Sequence, residues 1–312
     1  MTNDLRCPLD LLDAATSMGS VTLLVSDLDA MTNWYRDAVG LHVLSAEGNR
    51  IALGRGEVPL LILEHQPSLT QAAHGSAGLF HTAILFDTQE HLALAITSIA
   101  ASTPHSFTGS ADHLVSQAFY FTDPEGNGVE LYWDRARSDW NWANGQIKMA
   151  TLHLDPNAFL QKHLPSAVRG EPDYAAVLSA AATSTTLPVT AATSTAVVGH
   201  VHLAVGDIAL AHDFYVTRLG FEQTIALGDQ ALFVSAGGYH HHMAMNVWGS
   251  RGAGPRPRAL GLGQVNIVVP SVDDLGAIEQ RMTHHRVATR NDGAGLSFED
   301  PWANLVRVSV AG

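Results

Sequence analysis

Cysteine is all but missing. Cys7 is the single one in 312 residues, so no internal disulfide can form and a reducing compartment fits. Positive charge is scarce too: 17 Lys and Arg stand against 30 Asp and Glu, a formal net charge of −13. Nucleic acid and anionic membrane, which select basic surfaces, are therefore excluded as main partners. No apolar run approaches the roughly 20 residues that cross a bilayer. The opening residues, MTNDLRCPLD, lack the basic start and apolar stretch of a secretion signal. These absences lead us to expect a cytoplasmic protein.

What is present is a globular composition, 46% apolar, in a chain long enough for two domains with cores. Histidine is abundant: its count of 17 equals that of Lys plus Arg. Histidine is the commonest metal ligand and titrates near neutral pH.

A pattern begins near residue 19 and recurs. Val21 to Val25 reads as a strand and Ser26-Asp27 as a helix cap. Met31 to Val39, with Trp34 and Tyr35, reads as an amphipathic helix stopped at Gly40, and strands follow around 42–44, 50–53 and 60–64. The same order returns 180 residues later, with Phe214-Tyr215 on Trp34-Tyr35 and His200-Val201-His202 following Gly199. A copy opening at Gly78 runs to a hairpin whose turn is Asp123-Pro124-Glu125-Gly126-Asn127-Gly128. A last copy opens at Gly263 and ends in Asp300-Pro301-Trp302-Ala303-Asn304, a degenerate version of that turn. The repeats predict an α+β fold of four βαβββ modules, near 19–66, 78–134, 199–249 and 262–310, in two half-barrel domains. The N-terminal domain is expected over 19–134 and the C-terminal domain over 199–312. Residues 135–198 between them read as a linker, rich in Ala, Thr and Ser in its second part.

Comparing the repeats separates common positions from special ones. The first strands carry Thr22, His81, His202 and Asn266 at the position taken as equivalent. The last strands of the second and fourth modules carry Glu130 and Arg307. His81, His202 and Glu130 form the two-histidine, one-carboxylate set of a non-haem Fe(II) site, which leaves positions open for substrate and O₂. Such donors also suit Mn(II), and Zn(II) fits by ligand type.

The residues from His113 to Glu130 resemble the signature of the vicinal oxygen chelate superfamily. They are most similar to the two-domain type I extradiol dioxygenases, in the bacterial catechol 2,3-dioxygenase branch. The matching positions are His113, Phe119-Tyr120, Asp123-Pro124, Gly126 and Glu130; Ala111 departs from the usual residue. A second match is Gly238-Tyr239-His240-His241-His242, similar to a paired-His strand whose second His is the acid–base catalyst. The resemblance implies that role for His241, with His242 one residue away as the alternative, and substrate contacts for His113 and Tyr120. It implies Fe(II) or Mn(II), an aromatic diol and O₂ as reactants, ring opening to a muconic semialdehyde, and a place in aromatic hydrocarbon catabolism. Because Asn266 and Arg307 deprive the fourth module of ligands, it also implies that modules 2 and 3 share one cup. Two alternatives stand beside it: a glyoxalase-like metal-dependent isomerase or transferase, and a metal-free protein that sequesters a small molecule. Exposed edge strands make a homo-oligomer a natural further expectation.

Overall fold

The computed structural model describes residues 11–143, 145–165 and 195–312; the Ala- and Thr-rich part of the linker lies outside the described residues. The first module holds β1 (Ser17–Val25), α1 (Leu28–Asn33), β2 (His42–Glu47), β3 (Arg50–Arg55) and β4 (Val58–His65). The second holds β5 (Gly78–Phe86), α2 (Gln89–Ser102), β6 (Phe107–Asp112), β7 (Ser116–Thr122) and β8 (Gly128–Asp134). The connecting region adds β9 (Trp142–Ala143), β10 (Gln146–Ile147), β11 (Leu152–His153) and α3 (Pro156–His163). The third module holds β12 (Ala196–Ala204), α4 (Ile208–His212), β13 (Glu222–Leu227), β14 (Ala231–Ser235) and β15 (Met243–Asn246). The fourth holds β16 (Gly261–Val269), α5 (Val272–His284), β17 (Thr289–Asn291), β18 (Gly295–Glu299) and β19 (Leu305–Val310). The fold is α+β, built of four βαβββ modules.

Each module helix starts on a polar side chain that accepts a backbone N–H of the first turn: Asp27, Thr88, Asp207 and Ser271. The helix anticipated over Met31 to Val39 starts earlier and changes character. After Asn33 the chain widens into a π-turn over Trp34–Ala38, in which Val39 N–H donates to the Trp34 carbonyl. Asp213–Arg218 repeats this turn in the third module. The turn buries Trp34 and Tyr35, and equally Phe214 and Tyr215.

The sheets cut across the sequence halves. One sheet of eight strands runs β17-β18-β19-β16-β1-β4-β3-β2 and joins modules 4 and 1. The other, of nine strands, runs β11-β6-β7-β8-β5-β12-β15-β14-β13 and joins modules 2 and 3. In both, two opening strands meet antiparallel at the centre: β1 with β16, and β5 with β12. Neither sequence half closes a sheet alone. The first part of the expected linker is also built onto the second sheet, where β11 extends it beside β6. Trp140 and Ile147 are buried there with Val115, Ile225, Phe233 and Tyr239.

A second set of contacts ties the modules the other way. Asp123 Oδ1 accepts the backbone N–H groups of Glu125 and Asn127, and its Oδ2 accepts from the Asn127 amide and from the Tyr35 hydroxyl at 2.9 Å. Asp300 does the same with Trp302, Asn304 and Tyr215, whose hydroxyl is again 2.9 Å away. Each buried Asp thus builds its own hairpin turn and locks a tyrosine of the preceding module. Burial raises the pKa of both carboxyls, against the opposing pull of these hydrogen bonds. No described helix is long and apolar enough to cross a membrane.

Replacing Asp123 by Ala strands several buried donors at once, each costing about 1–3 kcal/mol. We expect Asp123→Ala to lower the unfolding free energy by about 3 kcal/mol and Tyr35→Phe by about 1 kcal/mol, read from urea midpoints at constant m. Equal effects of the two would show that the turn itself contributes little.

Candidate metal centre

Three side chains converge at the seam of the second sheet. In the register of β5 and β12, Ala83 faces His200, Thr82 faces Val201, and His81 faces His202, with register shifts on either side of this stretch. β8 runs parallel on the other side of β5 and sets Glu130 opposite Ala83, while β7 sets Tyr120 opposite Glu130. Glu130 Oε2 is 3.1 Å from His81 Nε2 and 3.2 Å from His200 Nε2. One ligand atom from each of these three buried residues lies within 4.8 Å of the others. Close approach of the backbone is part of the design. A Cβ on Gly128 would lie 2.2 Å from the Phe80 carbonyl oxygen, and one on Gly199 would lie 1.7 Å from the Tyr132 hydroxyl.

The donor set fits a divalent cation. His81 Nε2 is near enough to Glu130 for an ion pair, yet it is buried without a hydrogen bond, as is His200 Nδ1. Leaving such atoms unpaired costs about 1–3 kcal/mol each, which a bound cation between the nitrogens and the carboxylate would relieve at His81. Burial alone would raise the Glu130 pKa, but the charge and hydrogen bond of His200, and then the nearby His81, hold it well below the usual carboxylate value. Burial pushes His200 down to about 4 against the pull of Glu130. The carboxylate is therefore ionised and the His200 imidazole neutral near pH 7, the forms in which both bind metal.

The group lies in a cavity of about 690 Å³ that His113, Tyr120, His202, His241, Phe80 and Trp248 also line. Residues 146–151 of the connecting region and the apolar side chains of Ile225, Leu227 and Phe233 form further walls. His113 Nδ1 lies 2.8 Å from the Ala150 carbonyl, which only accepts, so Nδ1 is the donor. Its Nε2 is 2.7 Å from the Tyr120 hydroxyl. Burial, and then the negative charge of Glu130, lift the Tyr120 pKa well above its ordinary value, so it stays a phenol.

The glyoxalase/bleomycin resistance protein/dioxygenase superfamily model matches residues 17–131 and 197–308, which is most of the chain. The chain belongs to that superfamily. It is 32% identical over 292 residues to a protein of Bacillus subtilis (strain 168) named catechol-2,3-dioxygenase, covering 92% of this chain and 94% of that one. In fold it is similar to a solved structure from Bacillus subtilis, with TM-score 0.60 and 11% identity over 94% of this chain and 84% of that one. It is also similar to glyoxalase I from Zea mays, with TM-score 0.52 and 14% identity over 95% and 92% of the two chains.

Within this superfamily fold, the histidine of β12 that meets Glu130 is His200, where the sequence comparison had selected His202. His202 lies on the same strand face, but its Nε2 accepts from the Asn246 amide at 2.9 Å, and its ring packs between Phe80 and Trp248. The helix caps explain the difference. His81 stands seven residues before the cap Thr88, and His200 seven before Asp207, whereas His202 stands five before. Aligning modules on their caps would have paired His81 with His200 and placed Ser20 and Gln264 at the matching positions of modules 1 and 4. By the parallel pairings, the counterparts of Glu130 are Ile62, Ala244 and Arg307. Among the described residues the first sheet therefore carries no such donor set; its cavity of about 320 Å³ is lined instead by Arg50, Glu64, Arg256 and Arg258, among others.

His240, His241 and His242 sit in the turn before β15 and not on the strand, so strand alternation does not govern them. Gly237 and Gly238 ahead of them take φ of 62° and 67°, the left-handed backbone that glycine adopts without strain. His241 lines the cavity, His240 turns to Asp134, and His242 Nδ1 accepts from the Ala236 N–H. Burial lowers His202, His241 and His242, the last to about 3.

Metal analysis separates the two candidate histidines. We expect Glu130→Ala and His200→Ala to lose bound divalent metal and His202→Ala to keep it. Retention by His200→Ala with loss by His202→Ala would reverse the assignment. The buried histidines also set an acid limit. His200, His202, His241 and His242 take up protons on unfolding once pH falls below their ordinary value of about 6.5. The metal-free protein should therefore lose stability from about pH 6.5 downward, with the His200 contribution complete near 4. Urea midpoints that stay flat between pH 7 and 5 would show that these imidazoles are already hydrated.

Proposed function

We propose that this protein is an extradiol ring-cleaving dioxygenase. It would insert both atoms of O₂ into a catechol beside the vicinal diol and give a muconic semialdehyde. The observation that carries the reading is the convergence of His81, His200 and Glu130 in a cavity whose walls also present His113, Tyr120 and His241. The similarity to a protein named catechol-2,3-dioxygenase, over nearly the full length of both chains, supports it.

His81, His200 and Glu130 would hold Fe(II), with Mn(II) as the other candidate, and the metal supplies Lewis acidity and a common meeting point for diol and O₂. The chain's own residues do the rest. Tyr120 remains protonated, with its O–H directed at His113 Nε2, so its oxygen can accept from a substrate hydroxyl. His113, held by the Ala150 carbonyl, sets the direction of that hydroxyl. His241, neutral because it is buried, accepts a substrate proton and returns it. Phe80, Phe233 and Trp248 give the ring an apolar bed. Holding both reactants in one cavity removes the entropy cost of a three-body encounter. Ala244 at the counterpart of Glu130 leaves a single carboxylate, which disfavours a glyoxalase-like four-ligand site with two.

Oxygen uptake by the anaerobically Fe(II)-loaded protein tests the reading. One O₂ consumed per catechol, with a yellow product, is the expected result. The reading fails if no catechol in a panel of substituted and unsubstituted diols consumes O₂. We expect His241→Ala to slow ring opening by about 10²–10⁴-fold while metal content is kept; an unchanged rate would remove His241 from the proton path.

A further inference from the structure

A hydrogen-bonded chain reaches His241 from behind the cavity. Asp134, the last residue of β8, puts Oδ1 2.9 Å from His240 Nε2. Its Oδ2 accepts from the Tyr239 hydroxyl at 2.7 Å, and that hydroxyl is 2.8 Å from the hydroxyl of Tyr132. His240 Nδ1 is 2.7 Å from His241 Nδ1. The His240 side chain is 0% exposed and packs on Tyr239 and Trp140, so its ring has no freedom to turn. The module that provides Glu130 therefore also provides the carboxylate that ends this chain, although His240 comes from the other side of the linker.

With His240 neutral, counting donors and acceptors assigns the protons. An ionised carboxylate only accepts, so His240 carries its proton on Nε2. The Nδ1 of a neutral His240 is then an acceptor, and His241 must donate to it from its own Nδ1. Nε2 of His241 is left without a proton, and it is the nitrogen that remains for the cavity His241 lines. Were the chain reversed, His241 would present an N–H there and could not begin by taking a substrate proton.

We propose that Asp134 is a positioning residue: acting through His240, it holds His241 as the Nδ1-protonated tautomer, with Nε2 free to receive a proton. The proposal rests on the dioxygenase reading for its purpose, but the tautomer can be measured without turnover. The experiment is ¹⁵N spectroscopy of histidine-labelled, metal-free protein, paired with steady-state kinetics of the Fe(II)-loaded enzyme. Wild type should show the His241 proton on Nδ1; a proton on Nε2 overturns the proposal with no variant needed. In Asp134→Asn the amide can donate to His240 Nε2, which reverses the chain and moves the His241 proton to Nε2. Replacing the carboxylate of a Ser-His-Asp triad by an amide in this way costs about 10⁴ in kcat. Here we expect kcat to fall by about 10²–10³ with KM within about threefold and iron content unchanged. Tyr239→Phe, which keeps the Asp134–His240 bond, should retain the wild-type tautomer and lose less than about tenfold. An Asp134→Asn protein with the wild-type tautomer and kcat sinks the proposal. Absence of O₂ uptake by wild type would instead sink the dioxygenase reading, and the spectra would still decide the tautomer.

Discussion

The antiparallel pairing of β5 with β12 is the contact on which the rest of the molecule depends. It joins strands separated by more than a hundred residues and a connecting region, and it sets His81 and His200 on one seam. Glu130 reaches that seam only because β8 lies parallel on the outer side of β5. A slip of one residue would turn every side chain of the strand to the opposite face. Register shifts bracket His200–His202, and the pairing continues beyond them on both sides.

Around this seam, electrostatics and burial pull against each other. Burial disfavours ionising any group there, yet Glu130 stays anionic because two imidazoles approach the same oxygen. His200, His202 and His241 respond to burial in the opposite sense and become neutral. A desolvated carboxylate with a neutral imidazole beside it is unfavourable when left alone and well suited to a hard or borderline cation. The same low dielectric keeps Tyr120 a phenol. Tyr35–Asp123 and Tyr215–Asp300 bind the modules in the direction the sheets do not, so the hairpin that holds Glu130 is anchored from outside its own sheet.

Much of this was legible from the chain. Four repeats, the Asp-Pro turn, the helix caps and the His113–Tyr120–Glu130 spacing are local features, and local features survive reading in one dimension. His81 and Glu130 stood out because the first and fourth modules carry Thr22, Asn266 and Arg307 at the positions compared, which cannot replace them. His202 stood out for a weaker reason: it shares a strand face with His200, and a period of two cannot choose between them. The caps could have chosen, since they mark where each strand ends. The run His240-His241-His242 looked like strand but forms a turn, because the glycines before it take left-handed backbone.

The sequence alone determined the modules, their number, and the residue types that a metal-dependent superfamily member needs, because each depends on neighbours within a few tens of residues. Only the tertiary structure decided which modules share a sheet, which histidine of β12 meets Glu130, and that Asp134 stands behind His241. Those three outcomes are set by long-range strand register and by packing within a buried seam. There a shift of a few ångströms separates a hydrogen bond to Asn246 from a place beside the carboxylate.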